Sequence, residues 1–480
     1  LQEDRLPPLY YLTLKGWGAL AGFGELAVRL PSVFYGVLLI PVLAGIGAML
    51  FNRRVGLFAA ALAAVNPFLV WYSQEARMYA PAVFFGALAV WALLKISESA
   101  SQRTSEPARQ PSPFILHPSA LILFVAAMVA GLYSHLYAGF LLPALGLWLI
   151  IAYPRRWRLW LLFAAGGLLA ALAYAPILLA IWRFSGESVP GSPLAGLPER
   201  VSWLLTAFTV WKAPLPGWLQ TIIPLTVALF ALLAFLPQPS AFKSPPPAAR
   251  FPRLRVSLLL VMPFAIATGL LSRNHLAFFG ERYFIVMTPW LLLLAAAGSE
   301  RISESASQRA SEWVRNRRDF GHWSLVIRHW SFVIRHSLLV TPALRAGASV
   351  GHSSFAIRYS PFAILLILSA VPLPGQWPPA AAKEAWRQSA AYLAQHATPA
   401  DGILIHPDWV RYPFQFYFNG PGQTYAAFST VTAATALDGP LQGVVDDHPV
   451  IWLIQSHLDA PDPERRVEQW FAARYPLVTE

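Results

Sequence analysis

The chain has 480 residues, of which 56% are hydrophobic and 12% charged, whereas soluble domains carry about 25% charged residues. A soluble enzyme is therefore excluded. The formal charge of +12 at pH 7 does not point to nucleic acid, because the excess Lys and Arg sit in short connections between apolar runs. The chain has no cysteine, which excludes disulfide and thiol chemistry.

Segment 7–22 (PPLYYLTLKGWGALAG) is apolar but short and glycine-rich, fitting an interfacial or partial span. Runs long enough to cross ~30 Å of hydrocarbon follow at 30–51, 55–72, 78–95, 119–134, 137–153, 158–182, 218–236, 255–272, 283–299 and 357–373. They do not alternate as β-barrel strands would.

Numbering the connections alternately separates two sets. One holds Arg53 and Arg54, then Lys95, Arg103 and Arg109, then Arg155, Arg156 and Arg158, then Lys243 to Arg255, then the Arg-rich stretch 300–356. The other holds only Arg77, Arg183, Arg200, Lys212, Arg273 and Arg282. The positive-inside rule makes the first set cytoplasmic. The tail from about 376 then faces outward. Its segments 384–396 and 462–474 read as helices, and 400–407 and 449–457 as short buried strands, giving a small α/β domain.

Two cytoplasmic low-complexity insertions are expected, near 96–118 and 300–356. RISESASQRASE (301–312) nearly repeats ISESASQRTSE (96–106), and HWSLVIRHWSFVIRHS (322–337) echoes with a period of seven. They read as mobile loops; an alternative use of the arginines is binding anionic lipid headgroups.

The outward corners carry groups that topology does not demand: Gln74, Glu75 and Arg77 between Tyr72 and Tyr79; Ser134, His135 and Tyr137; Arg273, Asn274, His275, Glu281, Arg282 and Tyr283; and Glu3, Asp4 and Arg5. Taken singly, each has a structural explanation: a Glu75–Arg77 pair, interfacial tyrosines, a hydrogen-bonded His135, arginines anchoring span ends. Together, polar corners on one face describe a shared cavity. The planar fork of Arg suits bidentate phosphate contact, so the cavity suits an amphiphile with a phosphate head and a lipid tail. P-loop, dinucleotide-binding, serine-hydrolase and zincin motifs are absent.

The blocks PPLYYLTLKGW (7–17), AVRLPSVFYGVL (27–38), RRVGLFAAALAAVNPFLVWYSQEARMYA (53–80), LYSHLYAGFLLPALGLWL (132–149) and ERYFIVMTPWLLLL (281–294) resemble the polyprenyl-phosphate-sugar-dependent glycosyltransferases of the GT-C superfamily. The nearest branch is the bacterial one related to protein mannosyltransferases and aminoarabinose transferases. The resemblance implies an all-α polytopic membrane protein of about 10–11 transmembrane helices over 1–375, with an extracytoplasmic α/β domain over 376–480. It implies transfer of a hexose or pentose from a polyprenyl-phosphate donor to a lipid, protein or glycan acceptor, outside a cell inner or plasma membrane. Relatives have an earlier span and acidic loop, so the chain reads as N-terminally truncated. Asp4 matches a second acidic position and is the expected catalytic residue, an acceptor-side or metal-adjacent carboxylate; Leu6 stands where relatives carry His. Arg77 and Tyr79 match the Q-E-A-R-M-Y block, and Arg282 and Tyr283 the E-R-Y block. Arg77 and Arg282 are the expected lipid-phosphate ligands, with Glu75, Tyr79, His135 and Tyr283 in the cavity wall. The resemblance leaves room for a divalent metal, shows no ligands for it, and implies no nucleotide cofactor.

Two other readings compete. A transporter or flippase of lipid-linked sugars should show internal repeats and broken helices near the bilayer midplane, and no such repeat is visible. A non-catalytic remnant of the enzyme family would account for the missing first loop.

Overall fold

The computed structural model describes residues 7–102, 118–183, 196–236, 252–273, 280–316, 349–377, 385–459 and 461–477. Backbone groups in hydrocarbon must be satisfied within their own segment, and the apolar runs accordingly form helices. In chain order these are α1 (Leu9–Ala21), α2 (Glu25–Leu50), α3 (Arg53–Ala64), α4 (Pro67–Ser73), α5 (Tyr79–Gln102), α6 (Pro118–Ser134), α7 (Leu141–Ala152), α8 (Trp157–Arg183), α9 (Leu197–Thr209), α10 (Gly217–Leu233), α11 (Pro252–Arg273), α12 (Thr288–Asn316) and α13 (Ser349–Ala370). Among the described residues, 6 helices are long and apolar enough to cross a membrane, or 7 if the bent pair α3–α4 is one span. Three shorter apolar helices, Ser119–Ser134, Leu136–Ala152 and Gly217–Leu233, accompany them. Every run predicted as a span falls on these helices, with 55–72 divided between α3 and α4.

The core of the bundle is the first half of α12 together with α5. The window on Glu281–Ala306 is 94% buried and that on Tyr79–Ser97 78%, against 17% for Trp157–Leu179. Leu161, Leu168, Leu169 and Leu172 of α8 are exposed, as expected of a helix whose solvent is lipid. Close packing needs glycine at two crossings. A Cβ on Gly47 would come within 2.6 Å of the Gly56 Cα, where α2 meets α3. One on Gly298 of α12 would run into the Phe230 carbonyl of α10. At the far end Arg54 of α3 pairs with the buried Glu300 of α12 at 3.3 Å.

Three sequence expectations change. The run 55–72 is not one straight span: it bends by 59° between α3 and α4. The stretch 300–356 is not a loop throughout, since α12 runs on to Asn316 and α13 starts at Ser349. The first insertion likewise begins as helix, with α5 reaching Gln102. Serine is the commonest residue of the echo, but its Ala, Glu, Gln and Arg are good helix formers, it contains no Gly or Pro, and extending a helix already nucleated costs little. The seven-residue echo at 322–337, Arg103, Arg109, Asn274 and His275 lie outside the described residues.

The chain divides into two compact units, one built from the helices up to Gln376 and one on Trp377–Glu480. The second contains α14 (Trp386–His396), β1 (Gly402–His406), α15 (Arg411–Tyr417), β2 (Gln423–Ala426), α16 (Asp438–Asp446), β3 (Ile451–Gln455) and α17 (Arg466–Ala472). The strands form a parallel sheet in the order β2-β1-β3. β1 is buried along its whole length. Ile403 and Ile405 pack on Ala390, Leu393 and Phe414. Leu404 points the other way, into Leu441, Val467 and Trp470. β3 was expected to be buried too, but all its residues are half-buried because it is an edge strand. β2, with the sequence QTYA, carries too little apolar signal to be read in advance.

Candidate active site

Each segment of the site lies at a helix break or a helix start. In the first, Asn66 precedes Pro67, which disfavours helical backbone at Asn66, and its φ of −73° and ψ of 121° are extended. Its side chain then caps α4 by accepting from the Leu69 amide at 3.0 Å, and its Nδ2 donates to the Phe208 carbonyl at 2.7 Å. Pro67 suits the first helical position. The restart swings α4 away from the α3 axis, carrying Trp71 and Tyr72 with it and placing the corner 74–78 at its end.

The second break is at His135, whose φ of −156° ends α6. Its Nδ1 accepts from the Tyr137 amide at 3.2 Å and starts a short 3-10 turn, Leu136–Phe140. The neutral tautomer consistent with this bond has its proton on Nε2. Burial, and after it the Arg282 charge, push the His135 pKa down to about 4. The third break is Glu281–Met287, a 3-10 run of 7 residues. Such runs rarely exceed 3–4 residues. It carries Arg282 and Tyr283.

The breaks meet. Tyr79 lies 4.8 Å from Tyr72 and 5.8 Å from His135, ring to ring. His135 stacks on Tyr283 at 5.2 Å. Tyr137 packs 5.7 Å from Tyr283. The Arg282 guanidinium lies 5.4 Å from the Tyr283 ring and interacts electrostatically with Tyr72 and Tyr79. Its Nε is buried without a hydrogen-bond partner among the described residues. Arg77 is exposed, and its charge also reaches Tyr72 and Tyr79. Glu75 does not ion-pair with Arg77 among the described residues; it accepts the Trp71 indole N–H at 2.7 Å. Thus Glu75, Arg77, Tyr79, His135, Arg282 and Tyr283 surround one place. Asp4, Glu3 and Arg5 lie outside the described residues, and Arg273 sits at the end of α11 without a described side chain.

Sequence reasoning missed part of the wall. The Tyr10 hydroxyl of α1 is 2.8 Å from Ser32 Oγ of α2, and Ser32 Oγ donates to the Arg77 carbonyl at 3.4 Å. Trp211, just after α9, has a left-handed φ of 50° and packs edge-on to Phe68 and Trp71 at 4.7 and 6.4 Å. Lys212 lies 5.6 Å from the Trp71 ring. Only the charge of Lys212 could have flagged this segment.

The described residues alone do not fit a metal: they contain no group of three or more His, Cys, Asp or Glu able to hold one. No step is therefore derived through a metal.

Residues 5–106 match the dolichyl-phosphate-mannose-protein mannosyltransferase family. The crystal structure of ArnT from Cupriavidus metallidurans in the apo state is similar with a TM-score of 0.51 at 13% identity, covering 89% of this chain and 75% of ArnT. The same protein bound to undecaprenyl phosphate gives a TM-score of 0.51 at 15% identity, over 99% of this chain and 86% of ArnT. The chain shares the fold of ArnT. No curated protein sequence matches it. At these identities the likeness to ArnT establishes the architecture, and the chemistry has to be argued from the cluster itself.

Proposed function

We propose that this GT-C chain is a membrane glycosyltransferase that moves a sugar from a polyprenyl-phosphate carrier to an acceptor on the extracytoplasmic side. The observation that carries this reading is Arg282, held among Tyr72, Tyr79 and Tyr283 with an unpartnered buried Nε. A guanidinium near membrane depth is costly unless an anion meets it, and a lipid phosphate brings both the anion and a tail. Arg77 is the second phosphate ligand. Tyr79, His135 and Tyr283 form an aromatic wall, with His135 neutral and acting neither as base nor as counter-charge. Glu75 orients Trp71 and the corner beneath it.

In the transfer, the bond between the anomeric carbon and the phosphate oxygen breaks, and the acceptor oxygen bonds that carbon. The acceptor proton passes to a carboxylate, for which Asp4 is the candidate. The arginines stabilise the charge that gathers on the departing lipid phosphate. The sugar is a hexose or pentose, and the acceptor a lipid, protein or glycan. In this reading the site, and the tail from about 376, face outside a cell inner or plasma membrane. Support for the donor comes from the mannosyltransferase match over 5–106 and from a bound undecaprenyl phosphate in a protein of the same fold.

Membranes containing the protein, incubated with radiolabelled polyprenyl-phosphate sugars, test the reading. Arg282→Ala should lower transfer by about 100-fold, the usual cost of losing one transition-state donor, with membrane insertion intact. Unchanged transfer would remove the phosphate assignment.

A further inference from the structure

In open α/β sheets, ligands bind beyond the carboxyl ends of the strands, at the point where strand order reverses. The second unit has such a point. β1 pairs with β2 on one side and β3 on the other, all parallel, so the loops after each strand leave from the same edge. They also touch one another. After β1, the Asp408 amide donates to the Phe428 carbonyl at 3.1 Å. Asp408 Oδ2 accepts the Ser429 hydroxyl, which follows β2, at 2.7 Å. Trp409 packs edge-on to His457, which follows β3, at 5.3 Å. The Ser456 hydroxyl is 2.8 Å from His457 Nδ1.

This edge is held in an uncommon backbone state. Phe428 and His457 have left-handed φ values of 33° and 56°, which non-glycine residues adopt at a cost and which cluster at functional sites. Gln455, the last residue of β3, keeps a buried Nε2 without a hydrogen-bond partner among the described residues. In the segment after β1 the aromatic surface is open: Trp409 is 40% exposed and Tyr412 62%.

The chemistry selects the ligand. A nucleotide phosphate would need free amides at the turn after β1. Here the Asp408 amide is taken and a carboxylate occupies the turn, and the Arg411 guanidinium that follows donates to the Tyr412 hydroxyl at 2.8 Å. A carboxylate, hydroxyls and an amide donor beside an exposed indole instead suit an uncharged ring that presents hydroxyls at its rim and C–H groups on its face. We infer that the carboxyl edge of this sheet, around Asp408, Trp409 and His457, is a binding site for a neutral oligosaccharide. It lies in a different unit from the donor cluster and goes beyond the donor assignment.

Saturation-transfer NMR on the full-length protein in detergent, with maltotetraose, cellotetraose and mannotetraose as probes, tests this without any lipid donor. At least one tetrasaccharide should bind saturably. Asp408→Asn and Trp409→Ala should each weaken it at least tenfold without changing the unfolding temperature. Trp409→Phe, which keeps an aromatic face, should retain most binding, and Arg282→Ala should retain all of it. The inference is overturned if none of the sugars binds the unsubstituted protein, if Asp408→Asn and Trp409→Ala bind as well as it does, or if inorganic phosphate or AMP displaces the sugar. Because Arg282→Ala is silent here, failure of the donor reading and failure of this one show separately.

Discussion

At the residue scale, the site depends on what each charged group meets. Arg282 is surrounded by tyrosines and hydrogen-bonds to Tyr283, while its Nε has no hydrogen-bond partner among the described residues. Arg282→Lys keeps the charge but loses the fork, and should recover only part of the transfer that Arg282→Ala loses. His135 caps its own turn. His135→Leu leaves the Tyr137 amide unpaired and should cost about 1–3 kcal/mol in thermal or denaturant unfolding. In the second unit, Asp401 accepts the Trp452 indole at 2.9 Å and the Thr398 hydroxyl at 2.7 Å. Burial alone would raise its pKa, but the Trp452 and Thr398 bonds prevail and hold it below the ordinary carboxylate value. A depressed carboxylate stabilises the fold above its unfolded pKa of ~4, and that contribution fades as pH falls through the lower folded value. Asp401→Asn should therefore flatten the stability profile of this unit below about pH 4, as read by its tryptophan fluorescence. Arg77 and Arg282 could be picked from sequence because topology gave no reason for them on the sparse side. Trp211 could not, since its contribution comes from a left-handed backbone and from packing on α4, which spacing does not encode.

At the scale of elements, the breaks place the site. Asn66→Ala removes both the α4 cap and the tie to Phe208, and should cost about 2–3 kcal/mol of stability while also lowering transfer, because Tyr72 rides on α4. Gly298→Val pushes against the Phe230 carbonyl of α10; overpacking of this kind costs about 1–3 kcal/mol. Size-exclusion of the detergent-solubilised variant after heating would show it. The spans were legible because twenty apolar residues have few other uses. The 59° bend was not, although Asn66-Pro67 contains its cause: apolar residues on both sides hide a break when hydropathy is the guide. The extension of α12 to Asn316 was missed for the opposite reason, since low complexity suggested a loop where composition favoured helix.

On the scale of the whole molecule, breaks from α3–α4, α6–α7 and the start of α12 converge on one cluster. Broken helices also occur in transporters, but the architecture here is that of ArnT. The C-terminal α/β unit was readable from β1 and β3, runs of apolar residues bounded by turns; the edge strand β2 was not, because QTYA carries too little apolar signal. The absence of cysteine makes sidedness easy to measure. Single cysteines at 77 and 137 should react with an impermeant maleimide from the extracytoplasmic side, and one at 155 only after the membrane is opened.

The central claim is that this cluster holds a lipid phosphate, and equilibrium binding of undecaprenyl phosphate to the purified full-length protein tests it most directly. The account predicts saturable binding that Arg282→Ala weakens by at least 10-fold, the loss expected for a charged hydrogen-bonded contact, with a smaller loss for Arg77→Ala. Equal affinity in the unsubstituted protein and in Arg282→Ala would contradict it.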